Sequence, residues 1–244
     1  MSQWLVTVLR GPLASFADAP GNTMRKTGDM PTRSALIGLA AAALGIRRDD
    51  ADGQSALASA IVTAAAQIEP GTLLTDFHTF QSLHQAAKGA VTRADALNRR
   101  AYVETAITRR DYRADALWQG AYRLRDGATA LSLEALAAAF RRPSFFLALG
   151  RRSCALSHPL DPRIIEAGDV RDAFAAHLAE SRTDGLRGLR AGIYSVEDLG
   201  DAPGANGWSE HRRRDDPRDR SIRWTFAERR EWRLTRDAVE ESGP

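Results

Sequence analysis

The sequence predicts an α+β fold built as two β-α-β units in the ferredoxin-like order, the frame also used by RNA-recognition domains. Three observations carry that expectation. Apolar, β-branched or aromatic runs at 4–9, 61–68, 112–124 and 145–149 read as strands, the first and last of them buried on both faces. Alanine- and leucine-rich segments at 35–46 and 133–142 read as helices placed between those strands. A long polar excursion, about 76–111, separates the two halves.

The elements follow in order. The strand at 4–9 is bounded by Gly11 and Pro12 and opens into a polar stretch, 11–32, that carries Arg25 and Lys26 among small residues. Thr32 or Ser34 can cap the next helix, which is apolar on nearly all faces and therefore must be packed under something, and Gly45 stands where a glycine stops such a helix. A short helix at 54–60 precedes the strand at 61–68, and Pro70-Gly71 marks a turn. From Asp76 to Asp111 the apolar periodicity is lost while Lys88, Arg93, Arg99, Arg100, Arg109 and Arg110 accumulate, and connections of that length are disproportionately functional. Ser132 caps the helix at 133–142, Pro143 ends it, and the expected strand at 145–149 runs into Gly150-Arg151-Arg152-Ser153. This places a domain at 1–150 and an extension at 151–244. Asp169 opens a helix to Glu180, strands are expected at 191–196, 222–226 and 231–234, and 211–220 is expected to loop out between them. No internal repeat is visible.

Composition narrows the function. The longest charge-free apolar run, 34–46, falls short of the roughly 20 residues that cross a bilayer. The N-terminal MSQWLVTVLRGP lacks a basic n-region and a small-residue cleavage site, so a cytoplasmic protein with no membrane partner is expected. Cys154, the single cysteine, rules out an internal disulfide framework and a multi-cysteine zinc site. The net charge is only +3, from 34 basic and 31 acidic residues, but Lys26 and Lys88 are the only lysines. Arginine in that excess suits bidentate phosphate recognition, and equally it is what a GC-rich genome produces. Placement has to decide between them.

Neither a phosphate-binding G-x-x-x-x-G-K-[ST] loop nor a dinucleotide G-x-G-x-x-G fingerprint occurs, so no cofactor is expected. His78, His84, His158, His177 and His211 show no metal-ligand spacing, and no metal site is expected either. Cys154 and His158 could be a nucleophile and its base, but Pro159 breaks the helix that would align them, leaving a buried structural thiol. His78 could act as a general acid or base on RNA with Tyr112 or Lys88, or simply anchor the base of the excursion.

The basic clusters point further. Arg33, Ser34 and the first N–H groups of the following helix would form an anion site beside Arg25 and Lys26. In the ferredoxin-like order this loop can approach Gly150-Arg151-Arg152-Ser153, and two such loops suit an RNA phosphate backbone or another polyanion. Solvated surface arginine is the other reading, and it fits Arg212, Arg213 and Arg214 better, since Asp215, Asp216 and Asp219 follow them. The aromatic signature of the standard RNA-recognition sheet is absent, so base stacking on the sheet face is not expected.

Leu9-Arg10-Gly11-Pro12-Leu13-Ala14-Ser15-Phe16, Arg25 with Thr27-Gly28, and PTRSALIGLAAAALGIRRDD over 31–50 resemble the CasD family, the subunits of type I-E CRISPR Cascade complexes that hold the guide RNA 5′ handle. Asp76-Phe77-His78-Thr79, the run 104–112 with Ala114-Asp115-Ala116, and Leu149-Gly150-Arg151-Arg152-Ser153-Cys154 with His158-Pro159-Leu160 extend the resemblance. Ile193-Tyr194-Ser195 and Arg223-Trp224-Thr225-Phe226 match more loosely. It implies a RAMP-type fold in which about 78–112 is an inserted thumb hairpin reaching over the guide RNA. It also implies a structural, non-catalytic role, with guide RNA (crRNA), the backbone subunit and the large target-scanning subunit as partners and target DNA engaged only indirectly. The residues carried over are Arg25, Lys26, Thr27, Arg33, Ser34, Arg109, Arg110, Tyr112, Gly150, Arg151, Arg152 and Ser153, with Arg110 against the displaced nucleotide at the handle–spacer junction.

A related subtype's version is the processing nuclease, so the alternative is a metal-independent endoribonuclease using His78, Tyr112 and Lys88. A third reading is a regulatory or small-ligand domain whose arginines are incidental. The sequence departs from the family at Phe16-Ala17, where Trp-Gly is usual, and carries no recognisable motif between Gln81 and Val103.

Overall fold

The structure, a computed structural model, describes residues 1–16, 23–84, 89–99, 103–128, 131–181, 183, 185–197, 207–219 and 225–235. Ala17, Lys88, Arg100, Arg223 and Trp224 lie outside the described residues. The strands are β1 (Ser2–Arg10), β2 (Leu13–Ala14), β3 (Met24–Arg25), β4 (Ile61–Glu69), β5 (Thr72–Leu83), β6 (Val103–Ala114), β7 (Leu117–Leu124), β8 (Arg163–Ala167), β9 (Ile193–Val196), β10 (Ser209–Asp219) and β11 (Thr225–Thr235). The helices are α1 (Arg33–Leu44), α2 (Ala51–Ala60), α3 (Arg93–Asn98), α4 (Leu133–Arg141) and α5 (Val170–Glu180).

One antiparallel sheet of seven strands, in the order β10-β11-β9-β4-β7-β1-β8, forms the body. The continuous apolar run of β1 is explained by cover on both faces. Leu5 and Leu9 join a core with α1 and α4, while Trp4 and Val6 join a second core with Phe174 of α5. Thr32 caps α1, its Oγ1 accepting from the Ala35 N–H at 3.1 Å, and Gly45 at φ 77° closes the helix. Gly120 on β7 leaves the space that Leu36 of α1 fills: a Cβ there would lie 2.9 Å from the Leu36 side chain.

Three expectations are corrected. Residues 145–149 are not a strand. The Ser144 and Phe145 N–H groups donate to the Ala43 and Ala42 carbonyls at 3.0 and 3.1 Å, so the segment caps the end of α1 instead of joining a ladder. The strand after α4 that pairs with β1 is β8, so the sheet runs on past residue 150 without a break. The run 112–124 is two strands: Asp115, at φ 55°, separates the end of β6 from β7. Finally, 211–219 is strand β10 and not a loop. Burial alternates along 212–216: Arg213 and Asp215 point inward, where Glu231 and Arg229 of β11 neutralise them. The strand expected at 231–234 is part of β11, and 191–196 holds β9.

His177 of α5 is fully buried. The Gln119 amide N–H donates to Phe174 O and to His177 Nδ1, both at 3.1 Å, which leaves Nε2–H to donate to Asp161 O at 2.9 Å. This is a neutral imidazole. Burial holds its pKa below the ordinary value, outweighing the pull of Asp161 and Glu180 toward the charged form. A depressed folded-state pKa means the unfolded chain binds more protons below about pH 6.5, so this contribution is complete above that pH and lost as pH falls through it. The denaturant midpoint should therefore drop between pH 7 and 5.5, and His177→Gln should flatten that drop; an unchanged profile in the variant would assign the pH dependence elsewhere.

Candidate nucleic-acid interface

β5 and β6 pair as a long antiparallel hairpin, from Thr72 opposite Ala114 to Leu83 opposite Val103. The hairpin leaves the body at Gly71, φ 60°, where any Cβ would run into the Ala114 carbonyl and Ala116. It therefore starts six residues before the expected thumb boundary at 78 and ends two after the boundary at 112. Helix α3, with Thr92 as its cap and an Arg99–Asp95 ion pair at 2.8 Å, occupies part of the stretch that showed no motif. Leu73, Leu74, Phe77, Phe80 and Ile107 are exposed along the hairpin.

Register sorts its side chains onto two faces. Leu74, Asp76, His78 and Phe80 stand opposite Tyr112, Arg110, Thr108 and Ala106; Leu73, Thr75 and Phe77 stand opposite Arg113, Asp111 and Arg109. Arg109 and Arg110, adjacent in sequence, thus serve opposite faces. Arg109 stacks over Phe77, 5.8 Å from the ring centroid.

At the hairpin root several segments converge. β2 pairs antiparallel with β6, and β3 pairs parallel with it, setting Arg25 opposite Arg110. The turn 149–154 closes through Leu149 N–H to Cys154 O and Cys154 N–H to Arg151 O, both 2.8 Å. Ser15 N–H donates to Leu149 O and Ser15 Oγ to Asp111 O, both at 3.0 Å. Gly150, at φ 85°, sits directly against the Ser15 carbonyl. Arg151 joins all three: its Nη groups donate to Asp111 O at 3.2 Å and Arg25 O at 2.8 Å, and its guanidinium lies 4.6 Å over Tyr112.

The sequence-predicted residues divide accordingly. Arg25, Lys26, Arg152 and Ser153 are exposed at the convergence, and Arg110 is half-buried beside them. Arg151 and Tyr112 hold the junction together. Thr27 is a structural residue, its Oγ1 accepting from Phe16 N–H at 2.9 Å and donating to Gly28 O at 3.2 Å.

Arg33 is not at this surface, which corrects its expected place. It is 7 % exposed, with Nε 2.9 Å from Glu197, Nη1 2.8 Å from Asp216 and Nη2 2.7 Å from Ala58 O. Its backbone N–H donates to Asp215 Oδ2 at 2.8 Å. The anion site expected at the start of α1 is thus filled by a carboxylate from β10. Ser34 is half-buried and shares a 3.0 Å hydrogen bond with Thr32. Sequence reasoning missed Asp29, Glu231 and Arg233 and took Arg213 for a solvated surface arginine; Arg213 is instead buried against Glu231, and all four continue this network.

Of the expected nuclease residues, the two described ones, His78 and Tyr112, are not brought together. His78 is exposed, and Tyr112 lies four register positions away on the same face, about 13 Å at strand spacing. Cys154 is buried, which pushes its thiol pKa up. Among the described residues no group of three or more His, Cys, Asp or Glu side chains is placed to hold a metal ion, and no helix is long and apolar enough to cross a membrane.

Comparison with known proteins bears out the resemblance. The chain is 33% identical over 181 residues, 71% of its length and 76% of the relative's, to "CRISPR system Cascade subunit CasD" of Escherichia coli (strain K12). Its fold matches a chain of a "CRISPR RNA-guided surveillance complex" with a TM-score of 0.64 at 22% identity, covering 95% of this chain and 89% of that one. A second match, "Crystal structure of Cas protein", has a TM-score of 0.54 at 21% identity, over 96% of both chains. The model of the family described as CRISPR-associated protein (Cas_Cas5) matches residues 4–236, nearly the whole chain, and to that family the chain belongs.

Proposed function

We propose that the chain is a Cascade subunit that binds and caps the 5′ handle of the guide RNA and docks the neighbouring backbone and target-scanning subunits. One observation carries this reading: Arg25, Lys26, Arg110 and Arg152 converge at the root of a projecting hairpin, held there by Arg151. Phosphate contacts position a nucleic acid without chemistry, so the subunit works as a scaffold and needs no cofactor. In this reading β8-β1-β7-β4 with α1 and α4 is the ferredoxin-like unit, the β5–β6 hairpin is the thumb, and β9–β11 form the C-terminal extension. Its compartment is the cytoplasm, where guides are transcribed. The separation of His78 from Tyr112 favours this over the endoribonuclease alternative.

The test is co-expression with the backbone subunit and a CRISPR array, with and without a separate processing nuclease. Guide-bound complex should retain the wild-type chain and lose most of the Arg110→Ala and Arg25→Ala/Lys26→Ala variants as salt rises. Equal retention of both variants would sink the site assignment. Guides with a uniform 5′ end made without the nuclease would show that this chain cuts.

A further inference from the structure

Arg25 and Lys26 belong to a short segment on the outer edge of the hairpin root, held at one end by its pairing with β6 and by Arg151. A second hold comes from a few residues downstream. Asp29 is gripped from two elements of the sheet: its backbone carbonyl accepts from Trp118 Nε1 at 2.8 Å and from Gln67 Nε2 at 2.9 Å. Its carboxylate is the third grip, accepting from Arg233 Nη1 at 3.0 and 3.1 Å. Arg233 is itself held, with Nε 2.6 Å from Glu231, a fully buried carboxylate that also pairs with Arg229 at 3.1 Å and Arg213 at 3.4 Å. Gly28 is the point of closest approach: a Cβ there would come within 2.7 Å of an Arg213 Nη.

The geometry points to the C-terminal β10–β11 hairpin as a brace for the RNA-facing loop, with Arg233 and Asp29 as positioning residues that hold Arg25 and Lys26 in register with Arg110 and Arg152. The inference rests on the proposed RNA-binding role of those four residues. Arg25 to Asp29 spans four residues, about 13 Å at full extension, so the basic pair stays within that distance of the anchor. Arg233 touches no RNA in this arrangement. It acts through Asp29, and a residue near the chain's C-terminus thereby sets the geometry of one near its start.

The experiment uses the assembled complex with a fluorescently labelled guide RNA, scoring release of this chain against salt concentration. Asp29→Asn keeps the shape and both carbonyl bonds while removing the charge that Arg233 holds. It should lower the salt midpoint and reduce the slope of log affinity against log salt by about 0.7 for each single-strand phosphate that is no longer neutralised. Arg233→Ala should lower the slope by the same amount, and adding it to Asp29→Asn should lower the slope no further, because both reach the loop through one ion pair; its loss of the Glu231 contact should show only in the melting temperature. Arg25→Ala/Lys26→Ala serves as the reference. If it lowers the slope while Asp29→Asn changes only the melting temperature, the brace is purely structural and the inference falls. If the reference variant leaves the slope untouched, the RNA-binding reading itself has failed.

Discussion

Arg33→Ala should be among the most destabilising single substitutions in this chain, and its effect should be on folding before it is on RNA. The guanidinium is buried between Glu197 and Asp216 and also donates to Ala58 O. Removing it leaves Glu197, 8 % exposed, with the half-exposed Arg125 as its remaining ion-pair partner. Breaking a buried pair from one side costs about 3–5 kcal/mol when the charge left behind keeps no partner; Glu197 also keeps the Thr63 N–H and Oγ1–H, which puts this loss at the lower end of that range. In a chain of this size that is on the order of 10 °C in melting temperature. Asp215 keeps Arg229 at 2.6 Å, so the outer half of the network survives and the chain should still fold at low temperature. Thermal unfolding of Arg33→Ala beside Arg25→Ala is the measurement: the first should fall steeply and the second stay within about 0.5 kcal/mol of wild type, as exposed substitutions do. Guide retention measured well below the melting temperature should change little for Arg33→Ala. An unshifted melting temperature with diminished guide retention would mean that Arg33 leaves the network and faces the RNA after all.

The fate of Arg33 shows what was legible and what was not. Local signals survived intact: the Thr32 cap, the Gly45 stop, the Ser132 and Asp169 caps, and the run of β1 are decided within a few residues, and the structure has them. What failed depended on distant partners. Whether the N-terminus of α1 meets an external phosphate or an internal carboxylate is settled by Asp215, 182 positions along the chain, and no local pattern reveals that. Residues 145–149 have a strand's composition, yet the Phe145 N–H is taken by α1 and the Leu149 N–H by Cys154 O, so local backbone pairing overrode propensity. The hairpin escaped periodicity for a related reason. A two-stranded ribbon that rests neither face on the core has no buried face to alternate against, and Phe77 and Phe80 are exposed on opposite sides. The family resemblance supplied the expectation of an inserted hairpin where the residues alone showed only a long connection. The convergence at Arg151 was half visible: topology brings the two loops together, but it does not reveal that Arg151 binds protein carbonyls instead of facing outward.

Gly150→Ala should damage the site and the fold together. At φ 85° an alanine carries a left-handed penalty of about 1–2 kcal/mol. That penalty alone is not special, since Gly185 has φ 78° with nothing near the position of a Cβ. The difference at Gly150 is the Ser15 carbonyl. Backbone faces backbone there, so no flexible side chain can move aside, and either the 149–154 turn or the segment after β1 must shift. A shift breaks the 3.0 Å bond from Ser15 N–H to Leu149 O and moves Arg151 off Asp111 O and Arg25 O. Each such bond contributes about 1 kcal/mol net, so with the dihedral penalty the total expected loss is about 4–5 kcal/mol. Gly185→Ala shares the dihedral penalty without the close approach and isolates it. Gly150→Ala should unfold at clearly lower denaturant than Gly185→Ala and lose guide retention, while Gly185→Ala retains it. Equal midpoints and equal retention would mean that the two segments separate at little cost, and that the close approach at Gly150 is not what brings the basic loops together.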